Sequence, residues 1–186
     1  MSSTATATIT LNEGFFARRN WFDWLFAVLL VAGGLFAFQH YHLAMDVYEK
    51  GILIGAVPGL IWLGWFWRPL AKLMLSVAAL SLLAIWLYQG PDGVAHIDRA
   101  DAVFGLKYFL SSQSAILWMC LLCFVSTVFY WIGLFARGER DTLGLLGSRL
   151  AWVAVTMALL GTMVRWYESY LLGPDIGHIP VSNLYE

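Results

Sequence analysis

The chain has 186 residues, of which 60% are hydrophobic and only 12% charged, and its mean hydropathy is +0.71. A composition this apolar excludes an ordinary soluble domain and indicates a protein whose solvent is the lipid bilayer. The formal net charge of −1 offers no basic excess of the kind that nucleic-acid binding requires, so we expect no nucleic-acid partner.

The first twenty residues are predicted to form a cytoplasmic N-terminal tail. Met1–Asn12 is rich in Ser and Thr and lacks the basic start of a secretory signal. The apolar run that follows has no small-residue cleavage site. The sequence therefore predicts a retained membrane anchor rather than a cleaved signal peptide.

Five apolar runs are long enough to cross about 30 Å of hydrocarbon as helices. The predicted fold is all-α, a polytopic integral membrane protein with a transmembrane region over residues 21–170. The predicted spans are 21–41, 47–67, 70–88, 115–135 and 150–170. The intervening segment 89–114 begins with the turn sequence Gly-Pro-Asp-Gly and is predicted to be an external loop. Its aromatic second half, 103–110, is predicted to lie in the membrane interface as a helix.

Two short motifs lie inside the predicted spans. Gly51, Gly55 and Gly59 recur every four residues, which places them on one helix face and predicts close packing against a neighbour. Cys120 and Cys123 are also neighbours on one helix face. Without a βαβ context for a thioredoxin site, or a His after the second Cys for haem attachment, we interpret them as apolar helix residues.

Lys and Arg are distributed unequally between the two sides of the predicted bundle. With a cytoplasmic N-terminus, seven lie inside and four outside, as the positive-inside rule favours. The inner ones are Arg18, Arg19, Arg68, Lys72, Arg137, Arg140 and Arg149, and the outer ones are Lys50, Arg99, Lys107 and Arg165. The C-terminal segment is then external.

The same orientation places all four histidines on the outer side, namely His40, His42, His96 and His178. Imidazole is a common axial ligand of haem iron, but interfacial His is also ordinary, and the sequence leaves both interpretations open. Asp23 is expected to pair with Arg18 or Arg19. The external carboxylates are expected to be solvated, and no hydrolase motif accompanies them.

The most unusual stretch is Arg165–Glu186, where charge, aromatic rings and a histidine follow the last apolar run. Four residues interrupt regular structure and predict an external loop: Gly173, Pro174, Gly177 and Pro180. Asn183 precedes Glu186 by three residues, the spacing of a capping box, so a further helix is predicted to begin there. Because one turn is not stable alone, we expect the chain to be the N-terminal portion of a longer protein.

This stretch also carries a family resemblance. Arg165-Trp166, and Gly-His-Ile-Pro at 177–180 leading into Ser-Asn-Leu-Tyr-Glu at 182–186, resembles the external loop of the CcsA/CcsB (ResC) family of cytochrome c biogenesis proteins. Phe109–Leu134, with its Ser-Ser-Gln-Ser-Ala-Ile-Leu-Trp opening, is similar to bacterial members. Residues 1–90 resemble the family only in hydrophobic layout. Ser169–Ile176 is longer than the compact spacing of many members.

The resemblance implies system II cytochrome c biogenesis, in which haem is delivered across the bacterial inner membrane and attached to apocytochrome c. It implies haem b as a cofactor of the full-length protein, a ResB/Ccs-type partner and multi-pass localisation in the inner (cytoplasmic) membrane. The family's whole assembly is a synthase. Because its haem ligands lie beyond the last residue of this chain, the resemblance assigns neither a ligand nor a catalytic residue here.

Four residues are candidates for an external haem-handling surface. His178 is held in a shaped loop by its Gly and Pro neighbours. Arg165 suits a haem propionate through its planar guanidinium, although an Arg near a span end also snorkels by default. Trp166 and Tyr185 are candidate walls for a porphyrin, or ordinary interfacial aromatic residues.

The alternative function is a non-enzymatic membrane scaffold or a small transporter subunit. The glycine face of the second span and the lack of a complete catalytic set favour it. Five spans do not divide into the two corresponding halves that many transporters show, which disfavours the transporter form.

Overall fold

The computed structural model describes residues 19–43, 45, 47–136 and 140–173, with positions 140 and 141 described by their backbone only. Within these ranges the fold is all-helical, and five helices are long and apolar enough to cross a membrane, which confirms the predicted polytopic class. The predicted tail before residue 19 and the loop residues His178 and Tyr185 lie outside the described ranges.

The helices follow the apolar runs closely. They are α1 (Trp21–Tyr41), α2 (Val47–Phe66), α3 (Arg68–Tyr88), α4 (Arg99–Ala102), α5 (Ser112–Phe135) and α6 (Arg140–Leu172), with a short π-helix at Leu106–Leu110 before α5. The predicted span 150–170 is the later part of α6, because the helix begins well before the apolar run. The chain forms two compact units, residues 1–72 and 73–186, so that α3 begins in the first and ends in the second.

In the first unit, α1 packs on α2. Glycines let the helices approach: a Cβ added at Gly34 would meet the Val57 side chain, and one at Gly64 would collide with the buried Phe26 ring. By contrast, a Cβ at Gly51, Gly55 or Gly59 would have no atom within 4 Å, so the predicted neighbour of that face is not found among the described residues.

The start of α1 is fixed by a capping box and an ion pair. The Asn20 side chain caps the first turn, and the Asn20 amide donates to Asp23 Oδ2 at 3.0 Å. Asp23 is bound by Arg68, whose Nη2 lies 2.9 Å from Oδ2, whereas Arg19 donates to the Trp65 carbonyl. Arg68 rather than Arg19 therefore forms the ion pair with Asp23, because the α2–α3 turn brings Arg68 back to the start of α1, and the other expected partner, Arg18, lies outside the described residues.

The second unit has an apolar core built by α3, α5, α6 and the π-helix. Its buried members are Ala84, Tyr88, Leu106, Leu110, Ala115, Leu160 and Val164. On α5 and α6, Ser126 Oγ donates to the Gly147 carbonyl at 2.7 Å, and a Cβ at Gly161 would lie 3.1 Å from Ile116. Small residues thus allow these two helices to lie close together.

The connection between α3 and α5 contains the predicted interfacial element. Leu106 and Leu110 of the π-helix are buried in the core, while Phe104, Tyr108 and Phe109 are exposed. Amphipathicity of this kind is typical of a segment that lies along a membrane surface. Cys120 and Cys123 are free and exposed on α5.

Candidate functional site

The site of interest in the second unit is a buried carboxylate near the end of α6. Leu160, Val164 and Glu168 follow one another at four-residue spacing, and their exposed fractions are 0%, 1% and 5%. Residues four apart lie on the same helix face. Glu168 therefore continues the apolar stripe of α6 into the core, and the expectation that external carboxylates are solvated is wrong for this residue.

Three donors from two other elements converge on this carboxylate. Tyr88, at the end of α3, donates its hydroxyl to Glu168 Oε1 at 2.5 Å. Ser112, at the start of α5, donates its amide to the same oxygen at 3.0 Å and its hydroxyl to Oε2 at 2.5 Å. The side chains of Tyr88 and Ser112 are themselves buried. Glu168 thus ties together the ends of three helices.

The start of α5 explains why a carboxylate suits this position. The first amides of a helix have no acceptor within the helix, and their dipoles favour negative charge. Ser111 is the N-cap, and its hydroxyl accepts from the Ser114 amide at 3.4 Å. Glu168 supplies the acceptor for the Ser112 amide from a different helix. The end of α6 therefore completes the capping of α5.

The carboxylate is stabilised by hydrogen bonds rather than by a cation. Among the residues that the structure describes, no Lys, Arg or His forms an ion pair with Glu168. Burying a charge without compensation is costly, and charge-assisted hydrogen bonds are the strong kind that offset the cost. Tyr167 packs beside the cluster, with its ring centroid 5.9 Å from that of Tyr88. This arrangement suits a role in holding the ends of α3, α5 and α6 rigidly in place.

A small hairpin lies directly beyond Tyr88. The His96 amide donates to the Tyr88 carbonyl at 3.1 Å, and Arg99 Nε donates to the Leu87 carbonyl at 2.9 Å. Asp92 Oδ2 lies 2.9 Å from His96 Nε2, and this hydrogen bond holds the pKa of Asp92 below its usual value. The exposed loop is thus joined to the end of α3 that carries the Tyr88 hydroxyl.

The residues proposed from sequence stand close to this cluster without forming it. Arg165 is half-buried one turn before Glu168, and its carbonyl accepts from Ser169 Oγ at 2.8 Å. Trp166 is exposed on the adjacent face. Their predicted contact with haem stays a prediction, as does that of His178 and Tyr185, which lie outside the described residues.

The described histidines do not assemble a haem site. His40 stacks on Phe36 within α1 at a centroid distance of 5.7 Å, and His96 bonds to Asp92 in the loop after α3. Within the described ranges, no group of three or more His, Cys, Asp or Glu could hold a metal ion. The proposal below places no haem ligand on the described residues.

Sequence reasoning missed Glu168, Tyr88 and Ser112 as a cluster. One signal was present, since Glu168 interrupts an apolar stripe at helical spacing. Its donors lie 80 and 56 residues earlier in the chain, and helix periodicity cannot identify them.

Comparison of the chain with protein-family models, with curated proteins and with solved structures gives no match in any of the three. The features that point to a function are therefore the Glu168 cluster and the resemblance carried by residues 165–186.

Proposed function

We propose that this chain acts in system II maturation of c-type cytochromes, as the membrane platform that holds the external loop used to deliver haem and attach it to apocytochrome c. The observation that carries the proposal is the position of Glu168. It lies within Arg165–Tyr170, the opening of the stretch that resembles the CcsA/CcsB family, and it binds Tyr88 and Ser112. Haem is the cargo, and a ResB/Ccs-type protein is the partner.

The cluster supports this function by fixing the base of the loop. Functional loops work when a rigid scaffold positions their ends, because small displacements of a reacting group reduce rates strongly. The hydrogen bonds of Glu168 hold the last turns of α6 against α3 and α5. The C-terminal end of α6 at Leu172 is thereby held in place, and Arg165 and Trp166 lie within its last turns.

The orientation belongs to the same proposal. The N-terminus lies in the cytoplasm, the end of α6 lies outside, and the protein resides in the bacterial inner membrane. The excess of Lys and Arg on the N-terminal side supports this. A reporter that is active only outside the cytoplasm, fused after Ile176, is expected to be active. Activity of a cytoplasmic reporter at that point would reverse the assignment.

In the functional test, the chromosomal gene is replaced by a version that carries one substitution and leaves the rest of the protein intact. Glu168→Ala is expected to reduce the yield of c-type cytochromes several-fold, because the base of the loop is released. Glu168→Gln keeps the shape and two acceptor contacts, and we expect near-normal yield. Asp98→Asn alters an exposed carboxylate of the preceding loop and serves as the matched control.

The measurements are haem-stained cytochrome c and the amount of the protein itself in membranes. A reduced yield at normal protein level, confined to the Ala variant, supports the proposal. Normal cytochrome yield from the Ala variant at normal protein level would reject it. In that case the scaffold or transporter subunit becomes the better account of the bundle.

A further inference from the structure

An apolar groove lies between α1 and α2 in the first unit. It has a volume of about 320 Å³ and is lined from α1 by residues between Val31 and Phe38, and from α2 by residues between Leu53 and Pro58. Every residue of the lining is apolar. Sites for small molecules have volumes of about 300–1,000 Å³ and mostly apolar walls. The groove is therefore large enough for the ring of a lipid-soluble molecule.

The carbonyl oxygen of Ile54 lacks its usual helical donor at this groove. In an α-helix a carbonyl accepts from the amide four residues later, and here that residue is Pro58, which has no N–H. Ile54 and Pro58 both line the groove. A backbone polar group without a partner is costly in hydrocarbon. The groove therefore favours a ligand that can donate a hydrogen bond.

An aromatic ring lies at the level of this carbonyl. Gly34 faces Val57 across the antiparallel pair α1 and α2. Phe38, one turn later in α1, is therefore level with Leu53 and Ile54, one turn earlier in α2. The Phe38 side chain lines the groove and is 37% exposed. Because aromatic rings pack favourably on one another, a ligand ring finds a stacking partner and an acceptor at the same level.

The depth of the Ile54 carbonyl distinguishes between classes of lipid. Ile54 follows the start of α2 at Val47 by about 10 Å, at 1.5 Å per residue. In a hydrocarbon core about 30 Å thick, this depth lies below the phospholipid headgroups. Phospholipid acyl chains reach the carbonyl but carry no donor. A ligand that donates there has to be apolar enough to bring a hydroxyl group into the hydrocarbon.

We propose that this groove binds a prenylated quinol, with the quinol ring against Phe38 and one hydroxyl donating to the Ile54 carbonyl. The isoprenoid chain extends along the apolar lining. The oxidised quinone has the same ring and chain but no hydroxyl donor, so the site distinguishes the two forms. It is independent of the haem proposal, because it belongs to the first unit and uses none of residues 165–186.

The test uses the full chain in mild detergent under anaerobic conditions. The probe is decylubiquinol, a short-chain quinol, and decylubiquinone is its oxidised counterpart. Bound ligand is measured by native mass spectrometry. We expect the quinol to bind about fivefold to tenfold more tightly than the quinone, the difference that one hydrogen bond makes. Excess phosphatidylcholine is expected not to displace the quinol.

Two variants separate the carbonyl from the groove. Pro58→Ala restores an amide donor to the Ile54 carbonyl and is expected to abolish the preference for the quinol, while both forms still bind. Leu35→Trp fills the groove and is expected to weaken the binding of both forms at least tenfold. Leu29→Trp introduces the same side chain at an exposed position of α1 that does not line the groove, and it serves as the matched control.

Circular dichroism checks that each variant is folded. Pro58→Ala removes a helix breaker and should be at least as helical as the wild type, so its result stands even if Leu35→Trp does not fold.

The proposal fails on any of four outcomes. Equal binding of the quinol and the quinone, or a preference for the quinol that persists in Pro58→Ala, would show that the carbonyl is not recognised. Displacement of the quinol by phosphatidylcholine would make the groove a site for acyl chains. A dimer that Leu35→Trp converts to a monomer would assign the groove to a second copy of the chain.

Discussion

Replacing Glu168 with Ala removes the acceptor that three buried donors share. Tyr88 is 0% exposed and Ser112 is 2% exposed, so their hydroxyl and amide groups cannot turn to bulk water without local opening. A buried donor left unpaired costs about 1–3 kcal/mol. With partial hydration near the helix ends, we expect a loss of about 3–5 kcal/mol in the free energy of unfolding.

Glu168→Gln separates the lost charge from the lost contacts. The amide oxygen still accepts from Tyr88 and the Ser112 amide, and the amide nitrogen donates to the Ser112 hydroxyl, which rotates to accept. The expected loss is about 1 kcal/mol or less. Tyr88→Phe removes one donor and is expected to cost about 1.5–3 kcal/mol, the range for a hydrogen bond to a charged group.

The assay is unfolding of the purified protein in mixed micelles, with increasing sodium dodecyl sulfate and α-helical circular dichroism as the signal. Glu168→Ala should be the least stable variant and Glu168→Gln close to wild type. A Glu168→Ala variant within about 0.5 kcal/mol of wild type, the usual range for surface substitutions, would refute the cluster as described.

Two further predictions concern the first unit and the external hairpin. Gly64→Ala is expected to lower the free energy of unfolding by about 1–3 kcal/mol, because the new Cβ collides with Phe26. Gly55→Ala meets open space and should change that free energy by no more than about 0.5 kcal/mol. Equal effects of the two substitutions in the same unfolding assay would contradict the packing of α1 on α2. The His96 hydrogen bond lowers the pKa of Asp92 below its ordinary 3.8, so its stabilising contribution is present above that value and lost as pH falls through the lowered pKa. The loss of this contribution is measured as a pH dependence of hydrogen exchange at the backbone amides of the loop. Asp92→Asn should abolish that dependence, and an unchanged pH profile of exchange in the variant would contradict the prediction.

The five membrane-length helices could be predicted because bilayer thickness sets the length of an apolar run. Helix ends were less predictable where polar sequence continues the helix, as at the start of α6. The partner of Asp23 could not be predicted from the sequence, because it is set by the turn after α2 that brings the chain back to the start of α1. Charge alone does not distinguish Arg19 from Arg68, and the turn decides in favour of Arg68.

Helix packing at the glycines was also only partly predictable from the sequence. Four-residue spacing places Gly51, Gly55 and Gly59 on one face, but spacing does not say what lies opposite. The contacts of α1 with α2 occur at Gly34 and Gly64, which belong to no such repeat. For the carboxylate cluster, helical spacing along α6 was enough to place Glu168 on the buried face. The donors to Glu168 come from α3 and α5, so only the tertiary structure identifies them.

The capping of α5 by another helix has a consequence for synthesis. A chain inserted from its N-terminus places Ser112 in the membrane 56 residues before Glu168 is made. During that interval the first amide of α5 and the Tyr88 hydroxyl lack their final acceptor. The hydrogen bonds that join the ends of α3, α5 and α6 can therefore form only after the end of α6 has been made, and a chain that stops before Glu168 leaves these buried donors unpaired.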